Sequence, residues 1–190
     1  MSERFRALKT GPLELALDGA DLRYVRFAGT EIVRRLYPAV RDDAWGTPAP
    51  ALEPAVVSGY EDRIEIRVAG SFRHEAIDID WTSDIEARAS GLLRYRFRAT
   101  AKRAFSYNRF GLCLLQPLAR IVGQPYRLTG PAGEHEGTLT EQIGPQAIVD
   151  GLPQPLIGPF SELEIEMADL GPLRFRFQGD LFELEDQRNW

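Results

Sequence analysis

Thiols and imidazoles are scarce in this sequence: it holds one cysteine, Cys113, and two histidines, His74 and His135. A single thiol excludes a disulfide within the chain and any metal site built on thiolates. The histidines stand far apart, so a metal would have to recruit carboxylates such as Asp78 and Asp80, and no metal is expected. No run approaches the ~20 apolar residues that a membrane helix needs, so no membrane partner is expected. Nor does an apolar h-region follow the opening Met1-Ser2-Glu3-Arg4-Phe5-Arg6, which makes a reducing cytoplasm the default compartment. Positive charge is in deficit as well. The formal net charge is -5, and an acidic chain gains nothing from a phosphate backbone, which argues against nucleic acid. A glycine-rich phosphate loop, a G-x-S-x-G nucleophile elbow and a CxxC pair are all missing, and no cofactor is expected.

What the sequence does have is alternation. Arg94, Arg96 and Arg98 interleave with Leu93, Tyr95 and Phe97. Glu162, Glu164 and Glu166 interleave with Leu163, Ile165 and Met167, and Arg174 and Arg176 with Leu173, Phe175 and Phe177. The same holds for Ile64, Ile66 and Val68, and for Ile77, Ile79 and Trp81. A period of two puts charge on one face and apolar side chains on the other, which is a strand half-buried in a core. A helical period would scatter the same charges around an axis. Turn residues fall between the runs: Asp18-Gly19, Ala28-Gly29, Ser58-Gly59, Ser90-Gly91, Gly130-Pro131, Ala132-Gly133 and Gly171-Pro172. The best helical candidate, Thr30 to Arg35, is short and β-branched at Ile32 and Val33. Strand-plus-turn spacing predicts about a dozen strands. The expected fold class is therefore all-β: a large antiparallel two-sheet sandwich of supersandwich or mutarotase-like type, with little helix. Residues 1–190 are expected to form a single β-sandwich domain.

The exposed ladders alternate in sign, from the arginines near Arg96 to the glutamates near Glu164 and the arginines near Arg176. Opposite charges favour adjacent pairing modestly, and a solvated sheet face is the plain reading of them. Cys113, inside Phe110-Gly111-Leu112-Cys113-Leu114-Leu115, reads as a small buried hydrophobe. His135, in Gly133-Glu134-His135-Glu136-Gly137, reads as a hairpin residue in water.

Three segments break the pattern. Tyr37 to Pro50 is proline-rich and carries Trp45. Phe105 to Gly111 contains Tyr107-Asn108-Arg109, an aromatic, an amide and a guanidinium that together can hold hydroxyls or a carboxylate; capping and stacking are the structural alternative. Phe182 to Trp190 packs Glu183, Glu185, Asp186, Arg188 and Asn189 among Phe182, Leu184 and Trp190. Carboxylates this close raise each other's pKa unless a cation such as Arg188 intervenes. Such a cluster suits an active-site wall or a lock between domains, and an edge strand running into a polar linker accounts for it equally well.

The C-terminal run FELEDQRNW resembles a signature of the D-apionate lactonase family. NRFGLCLLQP, from Asn108 to Pro117, is similar to that family too, as are the Tyr37 to Pro50 stretch and the opening Gly11-Pro12-Leu13 with Leu22-Arg23-Tyr24. The resemblance implies a longer multidomain enzyme: a β-sandwich domain, then a (β/α)-barrel, then a final β-domain, with this chain as the first. A barrel's active site lies at the C-terminal ends of its strands, so the downstream domain would be the partner and the isolated chain would be inactive.

A lactonase opens a cyclic ester with water, using a base and donors for the oxyanion. The resemblance implies that this domain would wall a pocket for a small sugar-acid lactone. Glu185 or Asp186 would then serve as base or hold hydroxyls. Arg188 or Arg109 would meet the substrate carboxylate or the oxyanion, with Asn189, Glu183 and Asn108 beside them. A non-catalytic carbohydrate-binding or scaffold domain supporting the barrel is the alternative. A self-sufficient mutarotase-like epimerase ranks last, because His74 and His135 are poorly spaced for an acid-base pair.

Overall fold

The computed structural model describes residues 5–144, 148–154 and 156–186. The chain is nearly all β, as the alternation predicts. Among the described residues there are eighteen strands and one four-residue helix. The excess over a dozen comes from strands of two to four residues, too short to show a period. The backbone gathers into two compact units, residues 1–116 and 117–190.

The first unit runs β1 (Arg6–Thr10), β2 (Leu13–Asp18), β3 (Asp21–Phe27), β4 (Thr30–Asp42), β5 (Pro50–Leu52), β6 (Val56–Gly59), β7 (Arg63–His74), β8 (Ile77–Arg88), β9 (Leu93–Ala101) and β10 (Tyr107–Leu115). One antiparallel sheet has the order β1-β2-β3-β4-β10. The other has the order β5-β7-β8-β9, with β6 also pairing β7. Thr30 to Arg35, the best helical candidate, lies inside β4, where Val33 stands opposite Val25. Its β-branched side chains suit a pleated, half-buried surface better than a helix.

Alternation decides what each sheet buries. On β8 the residues Ile77, Ile79, Trp81, Ser83, Ile85 and Ala87 are buried while their neighbours are not. Leu13, Leu15 and Leu17 on β2, with Leu22 and Val25 on β3, supply the other sheet's buried face. Each large apolar side chain so buried contributes about 1.5–3 kcal/mol. Rings join the two sheets: Trp81 lies 6.0 Å from Phe97, which lies 5.9 Å from Phe110 of β10. The Tyr95 hydroxyl of β9 donates to the carbonyl of Ala20 at 3.2 Å. Gly70 stands opposite Trp81, and a Cβ there would meet both the indole and the Ala51 carbonyl at 2.6 Å. A glycine inside this strand thus leaves room for the indole and the Ala51 carbonyl to approach the backbone closely.

The second unit runs α1 (Leu118–Ile121), β11 (Pro125–Gly130), β12 (Gly133–Thr138), β13 (Ile148–Val149), β14 (Leu152–Pro153), β15 (Ile157–Phe160), β16 (Glu162–Met167), β17 (Gly171–Arg176) and β18 (Phe182–Leu184). Its main sheet has the order β12-β11-β16-β17. β13 pairs with β14, and β15 with β18. Tyr126, Leu128, Leu139, Phe160, Leu163 and Ile165 lead its own core cluster.

The charged faces pair across strands in register. Glu162 stands opposite Arg176 and Glu164 opposite Arg174, so the glutamate ladder pairs the second arginine ladder. The first arginine ladder, on β9, pairs β8 instead, with Arg94 opposite Glu86 and Arg96 opposite Asp84. His135 is exposed on β12, its ring 5.9 Å from Tyr126. Cys113 is half-buried rather than buried. It sits on β10, which occupies the edge of its sheet opposite Tyr37 of β4, and an edge strand lacks a cover on one side.

Candidate functional site

The candidate residues at the C-terminal end belong to the second unit. Period two on β18 turns Phe182 and Leu184 toward the core and leaves Glu183 exposed. Phe182, the first residue of the strand, stacks on Phe177 with centroids 3.9 Å apart. Past the strand, Glu185 is half-buried and Asp186 is only 4% exposed. An Asp186 oxygen, Oδ2, accepts a hydrogen bond from the backbone N–H of Ile143 at 3.3 Å. A buried carboxylate needs such donors to offset its lost hydration. Arg188 and Asn189, with Trp190, lie outside the described residues.

The other candidates belong to the first unit, where β4 meets β10. The pairing slips between Tyr107 and Arg109, so that Tyr107 stands opposite Asp42, Arg109 opposite Arg41, and Asn108 has no partner in the ladder. Such a bulge re-aims side chains, and bulges gather beside functional sites. Here it turns Asn108 onto the chain just past β4. Its amide nitrogen donates to the carbonyls of Asp42 at 3.0 Å and Asp43 at 3.1 Å.

Those carbonyls open a tight turn. Asp42 Oδ1 accepts from the backbone N–H of Ala44 at 2.9 Å and of Gly46 at 2.6 Å. The Asp42 N–H donates to the Gly46 carbonyl at 3.0 Å, and the Trp45 N–H to the Asp42 carbonyl at 3.1 Å. Gly46 lies so close to the Asp42 carboxylate that any Cβ would overlap it. Within this cage Trp45 takes a left-handed backbone conformation, φ 67°, uncommon for so bulky a residue. Its side chain is exposed, 54% of the residue's surface being accessible. The Arg109 guanidinium lies 5.8 Å from the indole centroid, while its Nη1 donates to the Asn108 carbonyl at 3.0 Å.

The structure thus brings Glu183, Glu185 and Asp186 together on one unit and Asn108 and Arg109 together on the other. The sequence marks Trp45 as part of the Tyr37 to Pro50 stretch but assigns it no role in the site. An aspartate at a turn start with a glycine four residues on is the signal that marks the cage.

Behind the turn, β4 carries a second polar group. Arg41 is 6% exposed and its Nη2 donates to the Tyr37 hydroxyl at 3.2 Å. The Arg35 guanidinium covers the Tyr37 ring at 3.7 Å. Burial, then the neighbouring Cys113 thiol, push the Tyr37 phenol above its usual range despite Arg41. Among the described residues no three His, Cys, Asp or Glu side chains gather in a way that could hold a metal ion. No helix among them is long and apolar enough to cross a membrane.

Comparison with known proteins places this architecture. The family model described as D-apionate lactonase, N-terminal domain, matches residues 1–190. The chain belongs to this family. D-apionate lactonase from Brucella anthropi is 32% identical over 191 residues, an alignment covering 96% of this chain and 29% of that protein. The family is the one that the residue runs resemble, and the chain spans less than a third of the curated relative it matches.

Proposed function

We propose that residues 1–190 are the N-terminal β-domain of a longer, cytoplasmic hydrolase that opens the lactone of a sugar acid in carbohydrate breakdown. The family match over residues 1–190, with 32% identity to a D-apionate lactonase, carries this reading. The working partner is a downstream catalytic domain of the same polypeptide, and the chain alone does not turn over substrate. Lactone opening needs a base for water and donors for the oxyanion. Glu185, half-buried beside Asp186, is the candidate base on this chain, with Asp186 next to it. Arg188 or Arg109 is the candidate partner of the substrate carboxylate or the oxyanion, and Glu183, Asn189 and Asn108 are further candidates for holding substrate. Neither a cofactor nor nucleic acid enters the reaction.

Two observations favour a second reading, in which the domain is a scaffold. Asp186 is buried and ties down the backbone of Ile143. Asn108 directs its amide to two backbone carbonyls of its own unit. One experiment separates the readings: Glu185→Gln and Asp186→Asn in the intact polypeptide, with lactone opening and thermal unfolding measured side by side. A group acting in the chemistry gives a turnover loss on the order of a hundredfold with an unchanged unfolding transition. A lowered transition with turnover per folded molecule intact identifies the scaffold.

A further inference from the structure

We propose that Trp45 is a stacking platform for a sugar ring, with Arg109, whose guanidinium lies 5.8 Å from the indole centroid, as the neighbouring donor, and that the turn after β4 exists to present it. The ligand class, a sugar acid or its lactone, rests on the reading given above; the platform itself rests on the turn.

Four features converge on one side chain. Trp45 is exposed and contributes nothing to the buried core of its unit. Its left-handed backbone carries a cost that a glycine would avoid, and such strain persists only where surrounding structure holds it. That structure is the Asp42 cage, closed by Gly46 and clamped from the next strand by Asn108. The β10 bulge then sets Arg109 over the indole.

The surroundings select the ligand. A protein-docking tryptophan sits at the centre of a broad apolar patch. Trp45 has instead the Arg109 guanidinium 5.8 Å from its ring centroid, and Asp43 and Arg109 are both exposed. An exposed aromatic face with a guanidinium beside it fits a molecule with C–H groups on one face and hydroxyls or a carboxylate at its rim. The electron-rich indole face attracts polarised C–H groups, as it attracts cations. Arg109 offers paired donors suited to a carboxylate or a lactone carbonyl. Asn108 becomes a positioning residue, acting through the turn that it holds.

The test uses the intact polypeptide with Trp45→Ala, Trp45→Tyr and Arg109→Gln. Steady-state opening of the D-apionate lactone is measured together with calorimetric binding of D-apionate. The platform predicts that Trp45→Ala weakens binding and raises KM on the order of tenfold, or ~1.4 kcal/mol, while kcat and the unfolding transition hold. Trp45→Tyr restores most of the loss, and Arg109→Gln weakens the acid. Unchanged KM and binding in Trp45→Ala overturn the platform while leaving the lactonase reading intact. A lowered unfolding transition with unchanged KM overturns it in favour of a packing role. Wild-type protein that binds D-apionate through Trp45 yet opens no lactone upholds the platform and sinks the lactonase reading. Wild-type protein that does neither sinks both.

Discussion

Tyr95 shows how a single side chain carries information about the packing around it. It alternates with Arg94 and Arg96 on β9, so its ring turns inward while theirs face water. There its hydroxyl donates to the Ala20 carbonyl, and burial pushes its phenol far above the ordinary range near pH 10. The folded state therefore holds the Tyr95 proton more tightly than the unfolded state does. Stability from this group is fully present below pH ~10 and is lost as pH rises beyond it. Alkaline titration followed by phenolate absorbance checks this. Tyr95→Phe leaves the early amplitude untouched, removes only absorbance that accompanies unfolding, and flattens the fall in stability above that pH. Loss of early amplitude in the variant means that Tyr95 is open to water.

At the scale of the element, the strands were legible where the period ran long and dark where it did not. β7, β8, β9, β16 and β17 could be read from their alternation because each has one wet face and one that is buried or half-buried. β5, β13 and β14 are two or three residues long, and no period exists at that length. The ion pairs on the wet face follow from the register. Arg73 meets Asp78 at 3.1 Å and also Asp80, and Lys102 reaches Asp80 at 2.7 Å. Lys102 first, then Arg73, hold the Asp80 carboxyl below its usual range. A lowered folded pKa means stability present above the unfolded value of 3.8 and lost as pH falls below it. Denaturation midpoints for wild type and Asp80→Asn should therefore differ at pH 5 to 7 and converge as pH drops through ~4 toward 3. A gap that stays constant down to pH 3 rules out the ladder as its source. Sequence alone shows Arg73 and Asp80 as opposite charges, but only the β7–β8 register makes them neighbours.

The whole molecule holds two cores, and this governs what any distant change can do. The Glu183 to Asp186 candidates were visible in the sequence as an unusual density of carboxylates, and Asn108 and Arg109 as a break before an apolar run. Their division between two units was not visible, because it depends on which strands share a sheet rather than on any local pattern. Ile79, fully buried on β8, anchors the first core, and Ile165, fully buried on β16, anchors the second. Truncating either to alanine removes side-chain atoms from a filled interior and leaves a cavity, at a cost of about 2–5 kcal/mol. Because each residue packs within its own unit, the loss should be felt first by the strands around it. Amide hydrogen exchange in the intact polypeptide reads this directly. Ile79→Ala should speed exchange in β7, β8 and β9, and Ile165→Ala in β11, β16 and β17. If either change raises exchange equally across both sets of strands, the two cores act as one cooperative body. A defect in lactone opening could then be traced to Glu185 or Trp45 only after the stability of both units had been measured in the same variant.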